Sequence, residues 1–398
     1  MAKLSIEDLT LKGKNILVRV DFNVPLDDNQ NVKDDFRIRA ALPTIQKIIK
    51  EGGRAVLCSH LGRPKGKRVE AMSLKPVAGR LSDLLGMEVK FADDCIGPDV
   101  QEMKKSLKDG EVMLLENLRF HAEEEKNDPD FAKKLAEGCQ LYINDAFGSA
   151  HRAHASTEGA TRFFEKCAAG YLMQKELDYL GEAVENPARP FVTILGGAKI
   201  SGKIDVINNL MTKADALLIG GGMIFTFFKA QGKEIGQSLL EEDRLEMAEE
   251  LLKKFESSSC QVVLPTDVMV ADKVESGAKT RMVDVTDIPS DWKGVDIGPE
   301  TVKKFKQVLE DAKTIIWNGP MGIFEISEFA GGTEQIARYL AEITDRGATT
   351  IVGGGDSASA VKKFKLMDRL SHVSTGGGAS LEFLEGKTLP GVAALSDK

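Results

Sequence analysis

Little in the chain marks a secreted, fibrous or membrane protein. The five cysteines (Cys58, Cys95, Cys139, Cys167, Cys260) are odd in number, scattered and never in a C-x-x-C pair. That excludes a disulfide framework or a thiolate zinc site and points to free thiols in a reducing compartment. Thirteen prolines in 398 residues are too few for a collagen-like or disordered chain. No run reaches the ~18 apolar residues of a membrane span, and the first eight residues lack the apolar segment of a signal peptide, so a cytoplasmic location and no membrane partner are expected. Basic residues are outnumbered, 53 against 61 acidic, for a net charge of −8. Wrapping of nucleic acid is therefore disfavoured and no such partner is expected. No Ser/His/Asp order or His/Cys ligand spacing is present.

What is there is length, apolar content and glycine. At ~150 residues per domain the chain holds two to three domains, and 42% hydrophobic residues suffice for real cores. Of the 38 glycines, 24 lie in residues 187–398, and 13 of those 24 form five runs: 196–197, 220–222, 331–332, 353–355 and 376–378. Short β-branched runs alternate with amphipathic stretches throughout, the pattern of βαβ units and a parallel sheet. Strands are predicted at 15–22, 55–60, 89–92, 112–116 and 141–144, then at 191–195, 216–219, 261–264, 314–317, 349–352 and 372–374. Helices are predicted at 74–85, 206–212, 244–255 and 301–309. Two sheets fit better than one of eleven strands. Residues 171–186 read as a helix joining two α/β domains, stopped at Asn186-Pro187. The run 331–332 reads as a turn.

In open parallel sheets, ligands bind beyond the carboxyl ends of the strands. Those positions in the first half hold Asp21 and Asn23, His60 and Arg63, Arg119 and His121, and His151, Arg152 and His154. Arg37 and Arg39 stand before a helix. Arginine matches phosphate and carboxylate oxygens in a bidentate fork, so a small phosphorylated or dianionic acid is the expected guest.

The second half has glycine where the first has arginine. Glycine lets backbone N–H groups approach an oxyanion, and a following helix presents its positive end. A nucleotide is expected there, with Lys199 and Lys203 near phosphates and Asp356 placed for Mg2+. Residues 197–203 fit G-x-x-x-x-G-K, but Ile204 stands where a P-loop needs a hydroxyl. Residues 353–358 fit the dinucleotide fingerprint G-x-G-x-x-A, yet the next strand offers no acid to a ribose. An NAD-dependent dehydrogenase and a non-catalytic nucleotide-binding protein stand as alternative readings.

Eight strings resemble phosphoglycerate kinase, in that family's order from residue 19 to 384. They are Arg19 to Pro25, Ser59 to Pro64, Glu116 to Arg119, Asn144 to Gly148, Leu195 to Lys199, Trp317 to Gly322, Gly353 to Asp356, and Ser374 to Leu384. The resemblance implies two Rossmann-like three-layer αβα domains with mainly parallel sheets, joined by a helix and hinge. Residues 1–170 would bind phosphoglycerate, 171–186 form the joining helix, 187–380 bind nucleotide, and 381–398 return to the first domain. It implies Mg-dependent phosphoryl transfer between 1,3-bisphosphoglycerate and ADP, giving 3-phosphoglycerate and ATP, by a monomer that closes about its hinge. Asp21, Asn23, Arg37, His60, Arg63, Arg119 and Arg152 would contact the phosphoglycerate. Lys199, Lys203, Gly298, Asn318, Glu325 and Gly354, Gly355, Asp356 and Ser357 would contact the nucleotide, with Asp356 on the metal. Arg37, Lys199, Lys203 and the helix start at Gly376 and Gly377 would stabilise the transferring group. One departure is visible: Gly202 stands before Lys203 where the family usually has Asp. The short stretch 123–131 is similar to the bacterial form.

Overall fold

A computed structural model describes residues 3–398. The chain divides into a first unit that runs to Asp178 and resumes at Thr388–Lys398, and a second unit, Tyr179–Lys387.

The first unit is built on six strands: β1 (Asn15–Val20), β2 (Arg54–Cys58), β3 (Val89–Ala92), β4 (Val112–Leu115), β5 (Leu141–Asp145) and β6 (Cys167–Ala169). They lie in the order β3-β4-β2-β1-β5-β6, and every pair is parallel. All six residues of β1 are buried, as a strand covered by helices on both faces must be. The helix Phe36–Lys50 buries Ile38, Ala41, Thr44, Ile45 and Ile48, a stripe at helical spacing that faces the core. The chain leaves β1 toward β2 on one side and β5 toward β6 on the other, so the switch point falls between β1 and β5, where their carboxyl ends open a crevice.

The second unit repeats the scheme with β7 (Phe191–Leu195), β8 (Ala216–Ile219), β9 (Gln261–Val263), β10 (Asp267–Ala271), β11 (Thr280–Asp284), β12 (Lys293–Ile297), β13 (Thr314–Asn318), β14 (Thr349–Gly353) and β15 (His372–Val373). Its main sheet has the order β15-β14-β13-β7-β8-β9, again parallel throughout, with the switch point between β7 and β13. Both of those strands are fully buried. Each unit is thus an α/β domain on a parallel sheet, as expected. The sequence reading missed β6 and a separate antiparallel sheet, β11-β10-β12.

At the second switch point the strand-end loops are tied to one another by backbone. Gly196 N donates to Asn318 O (3.0 Å), Gly197 N to Pro320 O (3.0 Å), Gly220 N to Leu195 O (2.8 Å) and Gly221 N to Met321 O (3.1 Å). A Cβ on Gly319, whose φ is +101°, would run into the backbone of Gly196. These glycines are needed for loop-to-loop contact. Their N–H groups are already spent, so the expectation that they approach an oxyanion is corrected at Gly196, Gly197, Gly220 and Gly221.

Two further expectations change. Gly331-Gly332 is no turn: it begins the helix Gly331–Asp345, and Gly332 N donates to Asp296 Oδ2 at 2.6 Å. The expected helix over 171–186 is α-helical at Tyr171–Glu176, a π-helix at Leu177–Gly181 and α-helical at Glu182–Glu185. The border between units falls inside it. Tyr171 N is held by Thr44 Oγ1 (2.9 Å) and Leu172 N by Asp145 Oδ1 (2.9 Å), whereas the Tyr179 ring stacks on His372, with centroids 4.9 Å apart.

Residues 381–387 stay with the second unit: the helix Gly377–Leu384 takes in the first four of them, and Asn209 Nδ2 donates to Leu384 O (2.7 Å). From Thr388 the tail joins the first unit. Leu4 N donates to Ser396 O (2.8 Å), Gly391 N to Ala150 O (2.8 Å) and Ser396 N to Cys167 O (2.9 Å).

Candidate functional site

In the first unit, the loops after β1, β2, β4 and β5 bring their polar residues together. Arg37 Nη1 donates to Asn23 O at 2.9 Å and lies 3.4 Å from Asp21 Oδ2. Asn23 Oδ1 in turn accepts from Gly62 N (2.9 Å), and Gly62 O accepts from Arg119 Nη1 (2.9 Å). Asp21, Asn23, Arg37, Gly62 and Arg119 therefore form one connected chain of contacts. Arg63, next to Gly62, is exposed, as is Arg152, whose Nε donates to His151 Nε2 at 3.1 Å.

Beneath them lies Arg19, a buried guanidinium with 1% exposure. It donates to Ser156 Oγ (2.8 Å), Ser149 Oγ (3.3 Å) and Val20 O, and meets His60 Nδ1 at 3.1 Å. Glu124, fully buried, accepts from Ser156 N (2.9 Å) and Ser156 Oγ (2.5 Å), which links it to Arg19 through one serine.

The electrostatic consequence is one-signed. Burial, then the Arg19, Arg119 and Arg37 charges, push the His60 imidazole well below its ordinary range. Burial with Arg119, Arg19 and Arg152 brings His154 down to about 4. Both rings are neutral at pH 7, so the positive charge around them comes from the arginines. Burial also lowers Arg119, and its Nε has no hydrogen-bond partner among the described residues, facing Glu125 Oε1 only at 3.5 Å. Arg119 is thus a buried cation whose Nε is held by an ion pair alone. Two residues do not join the basin. Arg39 pairs with Asp35 on the outside of its helix (2.9 Å) and His121 with Asp94 (2.7 Å).

In the second unit, two helix starts converge. The helices Gly355–Lys363 and Gly377–Leu384 begin side by side, since a Cβ on Gly377 would lie 2.9 Å from Gly355 N. The first N–H groups of each have no intrahelical acceptor and present the positive end of the helix. Asn318, 2% exposed, sits beneath Gly353 and Gly354. Its Oδ1 accepts from Lys203 Nζ, while its Nδ2 is buried without a partner among the described residues. Ser357 Oγ accepts from Gly319 N (2.6 Å), and Gly376 N donates to Ser374 Oγ (3.2 Å). Lys199 is exposed on the loop after β7.

Alongside runs a cleft of about 510 Å³, with Asp356 and Glu325 on its wall next to Gly197, Ala198, Gly221 and Gly222. Its other wall is apolar: Ile224, Phe225, Leu239, Val274, Met321 and Ile323. Leu239 and Val274 are among the few large apolar side chains left exposed, which suits the face of a flat ring. Asp296 also lines the cleft. Burial pushes its carboxyl up to about 7, against hydrogen bonds from Gly332 N and Ile297 N. Gly298 is not on the cleft wall. It precedes the helix Pro299–Leu309, and a Cβ there would strike the Asp267 carboxylate.

A family model described as phosphoglycerate kinase matches residues 6–387. The phosphoglycerate kinase of Chloroherpeton thalassium is 58% identical over 397 residues, 100% of each chain. This chain belongs to the phosphoglycerate kinase family. A cytosolic phosphoglycerate kinase of Arabidopsis thaliana is 58% identical over 393 residues, covering 99% of this chain and 98% of its own. The solved structure of phosphoglycerate kinase from Coxiella burnetii matches with a TM-score of 0.89 at 41% identity, over 98% of each chain. Membership in the phosphoglycerate kinase family removes the dehydrogenase reading of residues 353–358.

The charged and amide residues read at the strand ends of both units lie on the loops described above. The strand-end strings include Met321 but not Phe225, Leu239, Val274 or Asp296, which also line the cleft. The one signal for Asp296 was the glycine pair 331–332 that had no other use. Gly202 is exposed, with open space where a Cβ would stand. The helix Ile204–Met211 keeps an acid, Asp205, in its first turn.

Lys203 gives a test by pH. Burial lowers its ammonium from 10.5 to about 8, with Asp356 and Glu385 pulling the other way. The unfolded chain then binds more protons than the folded one between pH 8 and 10.5, so this group's contribution to stability rises with pH across that window. With Lys203 at the phosphates, as proposed below, a bound polyphosphate favours the ammonium, so ADP binding is expected to take up a proton above pH 8 and its affinity to fall by up to about tenfold per pH unit there. Calorimetry at pH 7 and 9 reads the effect, and Lys203→Met abolishes the dependence.

Proposed function

We propose that this chain is a kinase that transfers a phosphoryl group reversibly between the acyl phosphate of 1,3-bisphosphoglycerate and ADP. The products are 3-phosphoglycerate and ATP, a step of glycolysis and, in reverse, of gluconeogenesis. One observation carries the reading: a single chain holds both a basin of arginines around neutral histidines and a strand-end platform where two helix starts meet Lys203 and Asn318. Full-length relatives named phosphoglycerate kinase support it.

In this proposal Asp21, Asn23, His60, Arg63, Arg119 and Arg152 hold the phosphoglycerate, and Arg37 faces the transferring group. Lys199, Lys203, Asn318, Glu325 and Gly354 to Ser357 hold the nucleotide, while Gly298, off the cleft wall with its N–H on Asp267 O (2.9 Å), is left out of the set. The attacking oxygen is already an anion and the leaving group a carboxylate, so no general base is required. That agrees with histidines held neutral by their surroundings. Positioning and charge neutralisation supply the catalysis, from Arg37, Lys199, Lys203 and the helix start at Gly376 and Gly377.

Asp356 fits the role of Mg2+ ligand: it is an exposed oxygen donor on the cleft wall, of the kind that ion takes alongside nucleotide phosphates. When bound, the ion neutralises charge on those phosphates. The two ligands belong to different units, so closure about the 171–186 stretch belongs to the proposal, to bring them in line and exclude water. A cytoplasmic monomer is proposed, supported by five unpaired cysteines. No helix among the described residues is long and apolar enough to cross a membrane. A coupled assay of ATP-dependent 3-phosphoglycerate phosphorylation tests the reading. Turnover is expected; nucleotide binding with no turnover favours the non-catalytic alternative.

A further inference from the structure

The loop that carries Lys199 and Lys203 runs from the end of β7 to the helix Ile204–Met211. On one side the strand-end platform fixes it, through Gly197 N on Pro320 O (3.0 Å) and Met223 N on Gly197 O (3.2 Å). On the other side Lys203 N donates to Ile200 O at 2.8 Å. Two more backbone donors there, and one hydroxyl, converge on a single carboxylate from elsewhere in the chain. Glu241 Oε2 accepts from Ile200 N (2.6 Å) and Ser201 N (3.2 Å), and Glu241 Oε1 accepts from the Ser201 hydroxyl (2.5 Å).

Glu241 is itself anchored, its N–H donating to Thr226 Oγ1 at 3.3 Å. Two residues before it, Leu239 stands on the apolar wall of the cleft. One short segment thus supplies both a face for the ring of a nucleotide and a clamp on the loop beside its phosphates.

We propose that Glu241 is a positioning residue for nucleotide binding and phosphoryl transfer, holding the Lys199–Lys203 loop in its working shape. The proposal rests on the functional reading above. A carboxylate suits the task because it offers several lone pairs to donors arriving from different directions, and a hydrogen bond from N–H to an ionised acceptor is stronger than one to a neutral acceptor. Without it, Ile200 N and Ser201 N must find water, the loop samples other shapes, and both lysines lose their fixed placement. Misplacement of this kind lowers rate and nucleotide affinity without touching the phosphoglycerate residues.

The test uses the full chain with Glu241→Ala, Glu241→Gln and Ser201→Ala. In Glu241→Ala, amide hydrogen exchange at Ile200 and Ser201 accelerates, the KM for MgATP rises and kcat falls, together by about tenfold or more in kcat/KM. The KM for 3-phosphoglycerate stays at the wild-type value. Glu241→Gln, which keeps an acceptor oxygen, recovers part of the loss, and Ser201→Ala, which keeps both backbone bonds, loses less than Glu241→Ala. A merely structural role would lower the melting temperature and leave the KM for MgATP unmoved.

Wild-type exchange at Ile200 and Ser201 in Glu241→Ala would overturn the clamp. Wild-type kcat and KM for MgATP would overturn its role in positioning. Should Glu241→Ala fail to fold, Glu241→Gln and Ser201→Ala carry the same readouts. A wild-type chain that binds MgADP but does not turn over would overturn the functional reading alone, and MgADP affinity by calorimetry would then decide the clamp.

Discussion

Replacing Arg37 with alanine is expected to lower kcat by about a hundredfold to a thousandfold, the scale of losing one charged donor aimed at a transition state. Arg37 stands in the first turn of the helix Phe36–Lys50, its side chain 31% exposed, with one nitrogen on Asn23 O and near Asp21. Part of the guanidinium therefore reaches solvent, where an anionic group can meet it, while the Asn23 bond fixes its direction. The proposed nucleotide residues all lie in the second unit, so ADP affinity by calorimetry stays unchanged. Arg37→Lys keeps the charge but loses the planar fork and recovers only part of the rate. Unchanged turnover in Arg37→Ala would remove Arg37 from the chemistry.

Replacing Asp356 with alanine is expected to cost about a hundredfold or more in MgATP-dependent turnover, since a bound ion contributes several kcal/mol of charge stabilisation in such reactions. The side chain is exposed, in the first turn of the helix Gly355–Lys363. Removing an acid there costs the helix under about 1 kcal/mol, so the fold survives and the loss is functional. Mn2+ affinity in the presence of ADP, followed by electron paramagnetic resonance, should fall in parallel, while ADP binding without metal changes little. Wild-type turnover in this variant would place the metal elsewhere.

The parallel strands were legible because a strand buried on both faces is a continuous run of apolar, β-branched residues. Phe191–Leu195 and Ala216–Ile219, buried at every position, fall where they were read. β6 was not legible: Cys167-Ala-Ala has no β-branched residue and only three positions. The antiparallel sheet was missed for the opposite reason. Its strand Thr280–Asp284 is almost wholly exposed and carries Thr, Arg and Asp, so no apolar run marks it.

At the proposed sites, charged side chains were visible at strand ends in the sequence, and the apolar side chains that shape the cleft were not. Arg63, Arg119 and Asp356 stood out at strand ends, whereas Phe225 and Leu239 looked like any core residue until the cleft gave them a face. Glycine proved ambiguous. Gly196, Gly221 and Gly319 are bare so that three loops can touch, while at Gly202 and Gly355 a side chain would meet nothing within 4 Å. Sequence alone cannot separate these uses, because close approach to a ligand and close approach to another loop require the same missing atom. Glu241 was invisible for a related reason, since its partners are backbone N–H groups of residues 40 and 41 positions away.

In the proposed function the two units divide the labour: arginines of the first take the phosphoglycerate, and glycine-rich strand ends of the second take the nucleotide. Hydrogen exchange on the full chain, with 3-phosphoglycerate alone and with MgADP alone, tests it directly. 3-Phosphoglycerate should protect residues 21–24, 60–63, 117–121 and 150–154, and MgADP should protect 196–203, 318–322 and 353–357. Protection of the second set by 3-phosphoglycerate, or of neither set by either ligand, would contradict it.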